Sequence, residues 1–463
     1  MAAIPKSWGA VVASVLFIIA NAVVPAQSET LKFTLPEARE IALRASVSGQ
    51  PGMALTLTQQ LLAKDPNDST AHLATGTAHL SLGRWKDAYR GGRLAFRHSD
   101  TQVEKFQAAR VTALAAMADN RTMLSQFWFR RAGDLAPTEA DRNRIKQQFR
   151  VVQSRSPWNF RFNFSSTPSS NVNGGSEVSY NIIDGVPLVG ILSADAQALS
   201  GLVSQGSVRG SYRFAASARS QSFVTASVFH KAVMLSDDAR RAAPNFDATT
   251  LNATSLDVGL SHARLVSADN NTLVKADIGA RSYWRGDVLT YRALTAGGEV
   301  QHKISPQLTF TGALSGELRQ YDGGGEGRIG TATLGLSYGF KNGNRISGFL
   351  STSKSMTPIV TFDSRSVTGK LNFSLGKPVL SVLWSAGIGF TQSRYDDYRL
   401  GFIVVPGGRQ DDTVFMDLEA RFIGVEYAGF SPSVKLRRTR TDSNITRYDT
   451  NEWALSFGIN SNF

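Results

Sequence analysis

The side chains that carry most enzymatic chemistry are sparse in this sequence. Its six histidines are His72, His79, His98, His230, His262 and His302, and none stands in an HExxH pair. There is no cysteine, which excludes disulfides, thiolate zinc sites, cysteine nucleophiles and lipid attachment at an N-terminal Cys. His72 and His79 lie seven apart on one expected helix, a spacing read as packing or solvent exposure rather than a metal site. His230 and His262 fall on candidate strands, but no motif fixes a serine partner for a Ser–His nucleophile. Gly325-x-Gly327-x-x-Gly330 has the letters of a dinucleotide fingerprint. It stands in a Gly-rich stretch before a strand, not between strand and helix, and reads as an outer loop. The expectation is a non-enzyme with no cofactor, no metal and no catalytic residue.

Two polar clusters carry more information. Tyr395-Asp396-Asp397-Tyr398-Arg399 is continued by Gly407-Gly408-Arg409-Gln410-Asp411-Asp412. With Arg409 and Asp411 this is either a loop folded inward as a plug or contact site, or a solvated outer loop. The second is Lys435-Leu436-Arg437-Arg438-Thr439-Arg440. If Val434 and Leu436 face lipid, Lys435 and Arg437 face a lumen, and Arg438 and Arg440 fall near an outer rim where anionic lipopolysaccharide would meet them. Together with Arg319 they predict a basic wall, suited either to guiding acidic or unfolded cargo or to a passive pore. Lys and Arg number 50 against 37 Asp and Glu, a net charge of +13. No nucleic-acid module accompanies that charge, so lumen and lipid head groups are its expected partners rather than nucleic acid.

The elements that must position these residues follow from composition and period. Only 19% of the 463 residues are charged, Gly reaches 41, aromatics 10%, and Phe alone 26. Mean hydropathy is −0.15, and past the N-terminus no run of about 18 apolar residues exists, which excludes a helical membrane protein. From Trp158 onward the pattern has period two. Trp453, Leu455, Phe457, Ile459 and Phe463 alternate with Ala454, Ser456, Gly458, Asn460 and Asn462, and Leu334, Leu336, Tyr338 and Phe340 with Thr333, Gly335, Ser337 and Gly339. About fourteen such segments recur, near 158–165, 207–218, 221–233, 253–266, 271–284, 289–304, 307–321, 328–341, 344–355, 364–377, 380–395, 412–427, 430–441 and 448–463. Short turns such as Ala268-Asp269-Asn270, Lys341-Asn342-Gly343-Asn344 and Ala428-Gly429 alternate with longer connections, notably 166–206, 234–252, 356–363 and 396–411. Short turns on one side and long loops on the other predict an antiparallel outer-membrane β-barrel. Trp453, Phe457 and the final Phe463 resemble the C-terminal signal read by barrel-assembly machinery.

Upstream, residues 35–155 have helical period. Gly49, Ala54 and Pro66 recur 34 residues later as Gly83, Ala88 and Asp100, and Leu61 as Ala95. That is the tetratricopeptide period. A looser third unit, after about three extra residues, places Asn120, Ala132 and Pro137 correspondingly, and Trp85 and Phe129 take large packing positions. A last helix over roughly 138–155 covers the end. At the start, Lys6, the apolar run 11–20 and the small residues Val24-Pro25-Ala26 read as a signal peptide over 1–26. The domain plan is thus a signal peptide at 1–26, a periplasmic repeat domain at 35–155 and a transmembrane barrel at 158–463, in the bacterial outer membrane.

An exported helical-repeat domain followed by a fourteen-strand barrel resembles the surface lipoprotein assembly modulator (Slam) family, also grouped as type XI secretion proteins. The resemblance rests on Pro168-Ser169-Ser170-Asn171-Val172-Asn173 at the barrel's start. At its end it rests on Arg409-x-Asp411, Gly429-Phe430-Ser431-Pro432, Arg440-x-x-Ser443-Asn444, Tyr448 and Phe463. It implies a translocon that moves a partner lipoprotein or soluble secreted protein across the outer membrane without catalysis. The repeats would receive cargo, directly or from a periplasmic chaperone. An exopolysaccharide exporter and a porin with a periplasmic repeat domain remain the competing expectations.

Overall fold

The computed structural model describes residues 33–184, 186–401, 403–425 and 430–461. The expected signal peptide at 1–26, the Ala428-Gly429 turn and Phe463 lie outside the described residues.

Seven antiparallel helices come first: α1 (Leu35–Val47), α2 (Pro51–Lys64), α3 (Ser69–Ser81), α4 (Trp85–His98), α5 (Gln102–Ala118), α6 (Thr122–Asp134) and α7 (Glu139–Arg155). Their ends are written locally. Thr34 and Glu37 form a capping box on α1 and Pro51 opens α2, while the Asp68, Thr101 and Thr138 side chains cap α3, α5 and α7. Gly49, Gly83 and Asn120, the three matched positions of the repeat, close α1, α3 and α5 with φ of +80°, +71° and +59°. α5 runs 17 residues where α3 runs 13, which accounts for the extra length before the third unit. The core is small-residue packing early and aromatic packing late. Ala54, Ala74, Ala88 and Ala95 are fully buried, and so are Phe129, Ile145 and Phe149, where α7 covers the stack. Trp85 is half-buried at the first residue of α4 rather than in the core.

Fourteen strands then close a barrel: β1 (Trp158–Ser169), β2 (Gly201–Ala216), β3 (Ser220–Leu235), β4 (Ala253–Leu265), β5 (Thr272–Arg285), β6 (Val288–Lys303), β7 (Leu308–Tyr321), β8 (Glu326–Gly339), β9 (Arg345–Met356), β10 (Ser364–Ser374), β11 (Val382–Tyr395), β12 (Arg409–Phe422), β13 (Phe430–Ser443) and β14 (Thr450–Ser461). Each is antiparallel to its sequence neighbours, and β1 closes on β14. No described helix is long and apolar enough to cross a membrane. The strands carry that face instead, since outward residues such as Ile278, Leu294, Leu314 and Leu334 are more than half exposed on a closed wall. A closed barrel that is apolar outside satisfies every backbone group in lipid, which makes this an outer-membrane-type barrel.

One end carries tight connections at 217–219, 266–271, 304–307 and 340–344; the other carries 170–200, 236–252, 357–363 and 396–408. Two connections at the long-loop end, 286–287 and 322–325, are also tight. The first long loop is shorter than expected, because β1 runs on to Ser169 and β2 begins at Gly201. The Ser- and Gly-rich stretch there reads as loop, yet it forms inner-face ladder. Of the Gly325–Gly330 stretch only Gly325 belongs to a turn; Gly327 and Gly330 pair with Arg319 and Gly316 inside β8, so the expectation of an outer loop is corrected.

The closing seam differs from every other pair of strands. β1 pairs with β2 from Trp158 to Ser169, but among the described residues with β14 only at Phe164, Ser165, Ser166 and Ser169. Pro168, which has no N–H to give, falls in the gap. Residues 158–164 are exposed throughout.

Candidate functional site

On the inner wall away from the seam, several charges are paired across strands. Asp257 of β4 accepts from Arg281 Nε of β5 at 2.6 Å, and Arg281 reaches Glu317 of β7 at 3.3 Å. Glu317 also accepts from Arg319 Nε at 2.8 Å. Arg319 lies 4.2 Å from the ring centre of Tyr291, which stacks on Tyr283 and meets Tyr321. Lys275 pairs with Glu299 at 2.7 Å, and Lys370 with Asp417 at 2.8 Å. Arg319, expected to contribute to a basic wall, is therefore held in an acid–base network. Glu317 is only two residues from Arg319, but Arg281 is 36 residues from Glu317 and Asp257 24 from Arg281, and these meet only through strand register.

The seam side is different. Lys435 and Arg437 face inward, as the alternation of β13 predicts, and share a cavity of about 390 Å³ with Asn163, Gln205, Ser207, Glu419 and Ser456. Lys435 is 3.8 Å from Asp417, and Arg437 rests 4.6 Å from the ring centre of Phe415. Two residues from Asn163 and Ser207, on the same face of β1 and β2, Arg161 and Arg209 stand directly opposite each other. Like charges so placed destabilise a strand pair. Sequence reading missed these two, although odd-numbered arginines on strands with even-numbered aromatics were the available signal.

Below them the helical domain meets the short-turn end. Ser156, where α7 ends, accepts from Thr122 at 3.1 Å and donates to the Trp158 carbonyl at 2.9 Å. The Arg213 guanidinium of β2 donates to the carbonyls of Ser154, Arg155 and Ser156 at 3.1–3.3 Å, a cation on a helix C-terminus. Between α6 and the barrel rim lies a cavity of about 680 Å³. Arg130, Arg161, Arg421 and Gln126 line it beside Phe127 and Trp158, and among the described residues no carboxylate does. Burial holds the Arg130 guanidinium below the usual arginine range. The Gln126 amide nitrogen and Arg421 Nε are buried there without a protein partner. This arginine-lined joint, which no sequence motif marks, leads toward the seam-side wall.

At the long-loop end the loops pack on one another. Ile183, Tyr398, Val405 and Ile445 form a buried cluster with Tyr395 and Tyr448 against it. Arg409 makes a forked pair with Asp411, at 2.6 Å for its shortest bond, and sits 3.3 Å from the ring centre of Tyr448 and 4.6 Å from that of Tyr395. The Tyr398 and Tyr448 hydroxyls bond each other, and burial together with that bond pushes the Tyr398 phenol well above its ordinary range. Ser443 donates to Asp411, and Asn444 donates to the Gly408 carbonyl. Asn171 and Asn173 tie down the first loop through Gly175, Asp195 and Gln197. The loop is packed at Tyr398, Val405 and Gly408 and exposed at Asp396, Asp397 and Gly407. Arg409 and Asp411, expected as cargo contacts, spend their polar groups on this brace.

The remaining candidates are dispersed. Trp453 and Phe457 lie outward on β14, each about half exposed, with Arg438 5.1 Å from the Trp453 ring centre. Arg440 pairs with Asp442 at 2.9 Å. His262 bonds Ser222 at 2.8 Å and His230 bonds Thr254 at 2.9 Å, both on the exposed outer face. Among the described residues neither ring is hydrogen-bonded to a carboxylate. His72 bonds the Pro66 carbonyl at 2.9 Å and stacks on His98 rather than facing His79.

The sequence matches no family model and no curated protein. Solved outer-membrane barrels are similar in fold. CdiB from Acinetobacter baumannii is 12% identical with a TM-score of 0.38, covering 65% of this chain and 60% of its own. OmpT, an outer-membrane protein of Vibrio cholerae, is 8% identical with a TM-score of 0.34, covering 66% and 97%. OccAB4 of A. baumannii is 9% identical with a TM-score of 0.30, covering 65% and 97%.

Proposed function

We propose that this chain is a protein translocon of the outer membrane, of the surface lipoprotein assembly modulator or type XI kind. Its helical domain lies in the periplasm as a tetratricopeptide-like receiver. The observation that carries this reading is the joint. α6 and the barrel's short-turn rim share a cavity lined among the described residues by three arginines and no carboxylate, and the inner wall continues it through Arg161, Arg209, Lys435 and Arg437. A partly unfolded lipoprotein or secreted protein, handed over by a periplasmic chaperone, would pass along that wall. The reading involves no catalysis or cofactor. Without ATP in that compartment, folding of the emerged segment outside biases passage outward. The braced loops, built from the same Asn171, Asn173, Arg409, Asp411, Ser443, Asn444 and Tyr448 that carry the family resemblance, give this mouth a fixed frame.

One observation favours a second reading, an exopolysaccharide exporter. The inward ladder of Tyr283, Tyr291 and Tyr321 is the kind of surface on which sugar rings stack. Protease shaving of intact cells with and without the gene, followed by identification of released peptides, separates the two. The translocon reading expects one or a few proteins to lose surface exposure at constant total amount. Unchanged surface proteins together with loss of an extracellular polymer would overturn it.

A further inference from the structure

Some cations of the helical domain are paired, Arg39 with Asp68 at 2.6 Å and Arg44 with Glu40 at 2.5 Å. α4 instead carries an unbroken row of them. Lys86, Arg90, Arg93 and Arg97 stand on one face at intervals of four, three and four residues, all exposed. Arg121, from the corner before α6, closes the side of a groove of about 450 Å³ that they line with Tyr89 and Leu94. Among the described residues no carboxylate lines the groove and none of these five cations makes an ion pair.

The row is also held still. Tyr89 accepts a hydrogen bond from Trp128 Nε1 at 3.2 Å, and the Arg121 and Arg93 guanidinium carbons lie 5.1 and 5.9 Å from its ring centre. On the opposite face, Ala88, Gly91, Gly92 and Ala95 are buried against α3 and α5. A Cβ on Gly91 would come within 2.8 Å of the Gly76 backbone, and one on Gly92 within 2.3 Å of the Thr112 hydroxyl. Helices in such close contact cannot roll, so the cations are presented in a fixed line.

We infer that this face of α4 binds an acidic, extended polypeptide segment, resting on the reading above that the cargo is protein. Four helical residues rise about 6 Å, close to the ~6.6 Å between alternate side chains of an extended chain. Carboxylates on alternate residues therefore meet Lys86 and Arg90, then Arg93 and Arg97, while Tyr89 and Leu94 offer apolar contact between them. Exposed pairs are screened by salt, so binding weakens steeply as ionic strength rises.

The test uses the full chain in detergent and fluorescence anisotropy of a labelled eight-residue peptide with Asp at alternate positions. Its partners are the Asp→Ser peptide and phosphatidylglycerol vesicles. The acidic peptide is expected to bind at least ~10-fold more tightly than its Ser counterpart. Arg90→Glu with Arg93→Glu is expected to cost at least ~10-fold, while Arg144→Glu with Arg150→Glu on α7, the same charge change elsewhere, costs less than ~2-fold. Equal loss in both double variants, equal binding of the Ser peptide, or binding of vesicles without binding of the peptide would each overturn the inference. The two proposals fail separately. Peptide binding in a chain whose deletion alters no surface protein leaves the groove and removes the translocon. Altered surface proteins without peptide binding do the reverse.

Discussion

The two sides of the barrel's inner wall use the same residue types to opposite ends. Across β4 to β7, Asp257, Arg281, Glu317 and Arg319 form one continuous charge-paired network. Across β13, β1 and β2, Lys435, Arg437, Arg161 and Arg209 face the lumen with fewer acids, and two arginines stand opposite each other where register would have allowed a carboxylate. The first arrangement closes a rigid wall; the second keeps charge available at a cost in stability. It does so beside the strand pair that, among the described residues, is joined at only four positions, and next to the helical domain. The difference assigns structure to one arc and passage to the other.

Several substitutions sharpen or break that division. The largest expected effect is Glu317→Gln, which leaves Arg281 and Arg319 without their shared carboxylate on the stiff arc. The barrel should lose about 2–3 kcal/mol, read as a lower urea midpoint in a folded-band gel shift; an unchanged midpoint would mean the network is ornamental. Gly91→Ala tests the helical domain by the same assay on tryptophan fluorescence, with a loss of about 1–3 kcal/mol because the new methyl meets Gly76. Arg213→Ala removes the cation from the end of α7 and should cost about 1–2 kcal/mol of docking. Faster cleavage by trypsin at Arg155 would report it, and an unaltered rate would show that the α6 contacts suffice. Smallest in stability is Arg161→Ser with Arg209→Ser, expected within about 0.5 kcal/mol of the parent and on the favourable side, since a like-charge pair is relieved. That variant should nonetheless shift the reversal potential of the reconstituted barrel away from anion preference, whereas Arg319→Ser should destabilise more and shift it less.

Local chemistry made the scaffold legible. Gly49, Gly83 and Asn120 mark the helix ends because left-handed backbone restricts residue type, and the fourteen strands show in period two because one face meets lipid. Register is not local. Arg319's partner Glu317 is two residues away in sequence, but Arg281 reaches it from another strand and Asp257 joins only through Arg281, so a wall that reads as basic is paired in space. Arg409 and Asp411 were visible as a charged couple, yet their enclosure by Tyr395, Tyr398 and Tyr448 depends on three loops meeting. The arginines of the joint, Arg130 and Arg421, carry no motif at all, because a cavity between two domains has no period.

The most direct test of the division places a photo-crosslinking amino acid at Ser207 on the seam-side wall and, separately, at Ser315 on the paired wall, in living cells. The account predicts that illumination captures a polypeptide from Ser207 and little or none from Ser315. Equal capture from both positions, or capture from Ser315 alone, would contradict it.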